Sequence, residues 1–203
     1  MSDNTEVDQA WGAESADVKD AFADDGDNRL DDAARAAAEE VTDPDERAQV
    51  ALDFVADVLR EMEMECRVRL LKPREGSEGE IYLEITGKDS GRIIGKKGQV
   101  LQALQFLTHR VINRPGEERR HVLVDAEGYR SRRDDSLATM AQRLGSQAVK
   151  EGKIITFEPM NPRDRRVVHL ALAKFEGVIT KSDGEGDDRR VQIIPVRREP
   201  ARA

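Results

Sequence analysis

Two glycines three residues apart, Gly95 and Gly98, enclose Lys96 and Lys97 immediately before a segment with Val100, Leu104, Leu107 and Val111 at helical spacing. Ahead of them, Ser90-Gly91-Arg92-Ile93-Ile94 has room only for a short helix. The chain must therefore bend sharply between two helices. Glycine permits such a bend and lets a ligand's backbone approach with no Cβ in the way. Amides at the start of the second helix attract an anion. Lys96 and Lys97 add positive charge, with Arg92 and Lys88 close in sequence, and a phosphodiester suits the set. The common phosphate loops do not fit. Three residues separate Gly91 from Gly95 where a nucleoside-triphosphate loop has four, and Lys97 stands where that loop needs Ser or Thr for magnesium. The Gly-x-Gly-x-x-Gly turn of dinucleotide-binding folds is absent.

The flanking segments supply what these two helices can pack against. In Asp43-Pro44-Asp45-Glu46, Asp43 reads as a helix cap, Pro44 as the first helical residue and Glu46 as the capping-box acid. Ala48, Leu52, Val55, Leu59 and Met62 then share one helical face. Cys66 to Leu70 alternates, and after a turn with Pro73, Gly76 and Gly79 the alternation resumes at Ile81, Leu83 and Ile85, which predicts two adjacent antiparallel strands. The helix after the glycine turn stops at Asn113-Arg114-Pro115-Gly116, and a third strand follows over 120–125.

A second unit begins with a long helix burying Leu137, Met140, Leu144 and Ala148 and ending near Gly152. After it come a strand at Ile154, Ile155 and Phe157, a helix opened by Asn161-Pro162, and two strands around Val178-Ile179 and Val191–Ile194, joined by a hairpin turn over 182–187. On that helix Arg165 and His169 lie four apart, hence on one face, beside the stripe of Val168, Ala171, Leu172 and Phe175. Arg163 and Arg166 extend this polar, potentially cationic patch. A plainer reading has His169 half-buried, holding helix to sheet, with Arg165 a surface residue; both can be true of His169.

Charge divides the 203-residue chain unevenly. Residues 1–46 hold 16 acids against 3 bases, a net of −13, and the remainder holds 25 against 30, a net of +5. The N-terminal stretch is rich in Asp, Glu and Ala, with isolated Trp11 and Phe22 and no sustained apolar face, so it reads as a disordered arm. A solvating tail, a mimic of nucleic-acid charge and a docking segment are its three possible roles. A single cysteine, Cys66, excludes an internal disulfide and points to a reducing compartment. No apolar run or basic leader suggests membrane insertion or secretion, and a cytoplasmic location is expected. The fold class is α+β, two small α/β modules over 43–126 and 127–196, with the arm over 1–42 and a basic tail over 197–203.

Gly91-Arg92-Ile93-Ile94-Gly95-Lys96-Lys97-Gly98, with a helix and two strands before it and a helix and strand after, resembles a type II KH domain. That resemblance implies a Gly-x-x-Gly loop clamping about four nucleotides of single-stranded nucleic acid, with phosphate contacts from Arg92, Lys96 and Lys97 and bases supported by Ile93, Ile94 and Val100. The Arg165-x-x-x-His169 helix, behind a long helix and a strand, resembles the R-three-H domain, also associated with single-stranded nucleic acid. It implies contacts from Arg165 and His169, with Asn161, Arg163 and Arg166 beside them. The two in this order resemble the bacterial Jag, or SpoIIIJ-associated, family over about residues 44–196. Many members carry a folded N-terminal domain where this chain has the acidic arm. The family resemblance implies RNA binding, pairing with a small single-KH-domain protein or with itself, and a role in cell shape, division and envelope synthesis.

Catalysis would need a nucleophile, a base or a metal cluster in one place. His109, His121 and His169 fall in different elements, Cys66 reads as a small core residue, and the adjacent Asp134 and Asp135 point apart and read as solvated. A binding protein with no cofactor and no metal is expected. The partner is single-stranded RNA, with single-stranded DNA, a protein-pairing adaptor and a nuclease assembled in three dimensions as alternatives.

Overall fold

The structure, a computed structural model, describes residues 39–72 and 79–196. The expectations for the arm up to residue 38, for Pro73 and Gly76 and for the basic tail lie outside the described residues. The chain divides into two compact units, residues 1–130 and 131–203.

In the first unit, helix α1 (Glu46–Glu61) is capped by Asp45, whose carboxylate accepts from the Arg47 and Ala48 amides at 3.1 and 3.0 Å. The cap is thus Asp45 and not Asp43. The Arg120 guanidinium grips the same carboxylate at 2.6 and 2.8 Å, which holds Asp45 where it can cap. Ala48, Ala51, Val55 and Leu59 form the buried face of α1. Met62 lies beyond the helix end and is 44% exposed, because the chain turns through a left-handed Glu63 (φ 51°) into the sheet.

Strand β1 (Cys66–Leu71) pairs antiparallel with β2 (Ile81–Gly87), setting Val68 opposite Ile85 and Leu70 opposite Leu83. Strand β3 (Val122–Ala126) runs parallel on the other side of β2. The crossover between β2 and β3 consists of α2 (Ser90–Ile94), a 3₁₀ turn (Lys96–Gly98) and α3 (Gln99–Ile112). The order of elements read from the sequence is the order found. Ile81, Leu83 and Ile85 join α1 and α3 in one core with Leu101, Leu104 and Val124. The strict alternation expected of β2 does not hold, since Tyr82 and Glu84 are buried as well. On the face turned away from the α1 and α3 core, side chains of β1 and β3 cover the central strand. Tyr82 meets Leu71 and Leu123 there, and buried Glu84 accepts from Arg69 at 2.6 Å. The Gln105 side chain accepts from the Val124 amide at 3.1 Å, satisfying a donor on the edge strand β3.

In the second unit, α4 (Tyr129–Glu151) buries Leu137, Ala141 and Ala148. Met140, expected in that face, is 37% exposed; the seam follows 137, 141, 144 and 148, one residue round from it. The sheet has the order β4 (Ile155–Thr156), β6 (Arg190–Pro195), β5 (Val178–Asp183), all antiparallel. Ile154 stands outside β4 and is 57% exposed. Helix α5 (Pro162–Leu172) packs Val168 and Leu172 into the core, and its contact with α4 is close enough that a Cβ on Gly145 would lie 3.0 Å from Leu172. The expected β5–β6 hairpin is present, with a 3₁₀ turn (Gly186–Asp188) in its loop. No helix among the described residues is long and apolar enough to cross a membrane.

Candidate nucleic-acid interface

The glycine turn of the first unit is built from left-handed backbone. Gly95, Lys97 and Gly98 have φ of 67°, 54° and 81°. A Cβ on Gly95 would fall 2.4 Å from Val100 Cγ2, and one on Gly98 would fall 2.7 Å from Tyr129 Cε1. The two glycines are therefore required by the protein's own packing before any ligand arrives. Gly91 differs: nothing lies within 4 Å of where its Cβ would be. No side chain caps α3 at Gly98; the Gln99 amide donates to the Lys96 carbonyl, and the amides that follow it in the first turn are left for solvent or an anion.

The charged residues at the turn are not equivalent. Lys96 is exposed and has no hydrogen-bond or ionic partner among the described residues, whereas Lys97 is half-buried. Arg92 is exposed and lies 3.5 Å from Asp89, a weak contact that a ligand can displace. Lys88 is engaged by Glu65 at 2.5 Å. The expectation that Ile93 supports bases is corrected by its burial: at 1% exposure its side chain seats α2 in the core and cannot reach a ligand. Half-buried Ile94 and Val100, 38% exposed, are the accessible apolar residues there.

In the second unit, the Asn161 side chain caps α5 by accepting from the Asp164 amide at 2.7 Å, and Pro162 occupies the first turn. Arg163 does not extend the patch. Its two terminal nitrogens donate to both oxygens of Asp134 at 2.8 and 2.7 Å, and Asp134 is 1% exposed where solvation was expected. Arg133 makes the reciprocal pair with buried Asp164, at 3.2 and 3.0 Å. Each helix thus gives one arginine and one aspartate to a double ion pair that joins α4 to α5. Arg166 is exposed, with no partner among the described residues.

His169 sits one turn past Arg165 and faces the sheet. Its Nδ1 lies 2.6 Å from the Thr180 hydroxyl and its Nε2 lies 2.9 Å from that of Ser182. Burial first, then the charges of Arg165 and Arg189, hold its pKa below the ordinary histidine value, so the ring is neutral at neutral pH and the cationic character comes from the arginines. Arg165 donates to the Met160 carbonyl at 3.0 Å, and burial and Arg189 pull its pKa down. A guanidinium remains charged through such a shift. Arg189, Thr180 and Ser182 were not legible as site residues. The only available signal was alternation on β5 and β6, which puts 180 and 182 on the side of buried Val191 and Ile193.

No group of three or more His, Cys, Asp or Glu that could hold a metal occurs among the described residues. Cys66 is half-buried, and burial pushes its thiol pKa up, away from the reactive thiolate.

A helix-flanked three-stranded unit with a Gly-x-x-Gly turn, followed by a unit built on an Arg-x-x-x-His helix, defines a two-module protein of the KH and R-three-H class. The KhpA/KhpB KH domain profile matches residues 49–124 and the R-three-H domain profile matches 135–195. The chain is 36% identical over 152 residues to RNA-binding protein KhpB of Clostridium symbiosum, covering 75% of this chain and 67% of that relative. It is 37% identical over 119 residues to RNA-binding protein KhpB of Bacillus subtilis, covering 58% of this chain and 57% of the relative. With RNA-binding protein KhpB of Streptococcus pneumoniae the identity is 26% over 151 residues, covering 45% of that protein. The chain belongs to the KhpB family, and its matches span about half to two thirds of these relatives' lengths.

Proposed function

We propose that this chain binds single-stranded RNA through both modules. The observation that carries the reading is the left-handed Gly95–Gly98 turn opening onto the uncapped start of α3, with exposed Lys96 beside it. A sugar-phosphate backbone can approach the turn at half-buried Gly95 and accept from the free amides, while Lys96, Lys97 and Arg92 neutralise its charge. Ile94 and Val100 offer apolar support for bases. Aromatic residues make up 4% of the chain, so base stacking contributes little. Arg165 and His169, with Arg166 beside them, form the second contact, and joining two modest sites on one chain raises the net affinity. On this reading the protein is a cytoplasmic, non-enzymatic post-transcriptional regulator that acts in cell shape, division and envelope synthesis.

Fluorescence anisotropy of short single-stranded RNA across a salt series tests the reading. Log affinity should fall against log salt with a slope of about −0.7 per phosphate neutralised. Lys96→Asp/Lys97→Asp should lose most of the affinity with a shallower slope. Equal binding by both proteins would remove the first module from the interface.

A second reading is favoured by α3, where Val100, Leu107 and Val111 are 38, 50 and 39% exposed and share one helical face. Such a stripe suits pairing with a small single-KH-domain protein or a second copy of this chain. Leu107→Glu should abolish pairing in sedimentation measurements while leaving the glycine turn intact.

A further inference from the structure

The patch around Arg165 is more than a helix face. Strand β6 is preceded by Arg189 in extended conformation (φ −70°, ψ 130°), so strand alternation carries it to the same side as Val191 and Ile193, the side that faces α5. Met160 ties it to Arg165: the Met160 amide donates to the Arg189 carbonyl at 3.2 Å, and the Met160 carbonyl accepts from Arg165 Nη1 at 3.0 Å. One residue, Met160, thus links two arginines beside His169.

Those two arginines are treated differently from their neighbours. Arg133 and Arg163 are each neutralised by a buried aspartate. Arg165 and Arg189 have no carboxylate partner among the described residues, although the second is close enough to depress the first. Holding like charges together without a counter-ion costs free energy, and a bound anion removes that cost.

We propose that Arg189 completes a phosphate-binding site with Arg165, in which the two guanidiniums take one bridging phosphate of single-stranded nucleic acid beside His169. Thr180 and Ser182 are positioning residues that fix the imidazole plane through both ring nitrogens. This deepens the RNA-binding reading and rests on it.

The test uses the full chain with Arg189→Gln, and Lys181→Gln as the control, since residue 181 is exposed and lies on the other face of β5. Arg189→Gln should weaken single-stranded RNA binding roughly three- to tenfold, uniformly across sequences, and reduce the salt slope by about 0.7. The His169 ring resonances, followed by NMR without RNA, should titrate at higher pH in Arg189→Gln, because one neighbouring positive charge has gone. Lys181→Gln should match the wild type in all three. If Arg189→Gln also matches the wild type in affinity and slope while Lys96→Asp/Lys97→Asp loses binding, the Arg189 site is overturned and the RNA-binding reading stands. An unmoved His169 titration overturns the placement of Arg189. Failure of the wild type to bind single-stranded RNA at low salt overturns both readings.

Discussion

The two candidate sites solve the same problem with different parts of the chain. In the first unit the candidate feature is backbone, a left-handed turn whose glycines are demanded by Val100 and Tyr129 and which leaves open the α3 amides that follow Gln99. In the second it is side chains, four arginines on two helices and a loop, of which two are cancelled by buried aspartates and two are not. A backbone site depends on conformation, so it should fail when a Cβ is added. A side-chain site depends on which charges are already satisfied, so it should fail selectively, residue by residue.

The largest effect separates the neutralised arginines from the others. Arg163→Ala would take from buried Asp134 the guanidinium that meets both its oxygens, and denaturation should report a loss of about 3–5 kcal/mol for the second unit. Arg166→Ala, at an exposed position, should change stability by no more than about 0.5 kcal/mol and act, if at all, on RNA affinity. Equal losses for the two would mean that the double ion pair between α4 and α5 does not hold the unit together.

The next effect belongs to the backbone site. Gly98→Ala imposes a Cβ at φ 81° and 2.7 Å from the Tyr129 ring, and should cost about 1–3 kcal/mol, with RNA binding impaired even where the protein remains folded. Gly91→Ala sits in α2 with open space around it and should be neutral or stabilise by up to about 1 kcal/mol. If Gly91→Ala proves the more damaging, Gly91 is the ligand-facing glycine and the turn has been misplaced.

These contrasts explain what could be read from the sequence. The order of elements, the antiparallel β1–β2 pair and the glycine turn were legible because each rests on local periodicity or on glycine chemistry. So was the Arg165–His169 pair, from helical spacing. What was not legible depended on partners distant in sequence. Ile93 looked accessible because it adjoins the turn, yet the core takes it. Asp134 looked solvated because its counter-charge, Arg163, is 29 residues away. Asp43 looked like the cap because nothing local reveals that Arg120 holds Asp45, 75 residues back in the chain. Arg189 carries no motif at all; only the Met160 peptide places it.

The smallest effect is a pH dependence that the two sites should not share. His169 in the folded protein has its pKa held below the ordinary value by burial and by Arg165 and Arg189, with the Thr180 and Ser182 hydroxyls as its hydrogen-bond partners. An unfolded chain protonates this residue near pH 6.5. The stability it contributes is therefore complete above that pH and declines as pH falls below it, because the unfolded state takes up the proton first. Affinity for RNA should move the other way over the same window. A phosphate at Arg165 and Arg189 favours the imidazolium, so binding draws in a proton and tightens on acidification. Asp45, whose carboxyl is lowered by Arg120 and the α1 amides, loses its stabilising contribution only as pH falls below its ordinary value of 3.8, well clear of this window. Anisotropy at stepped pH values from 7.5 down to about 5.5 should show the tightening in the wild type and in Lys96→Asp/Lys97→Asp, and lose it in His169→Gln. A dependence that disappears instead with the lysine pair would move the proton uptake to the glycine turn and reverse the assignment of roles between the two units.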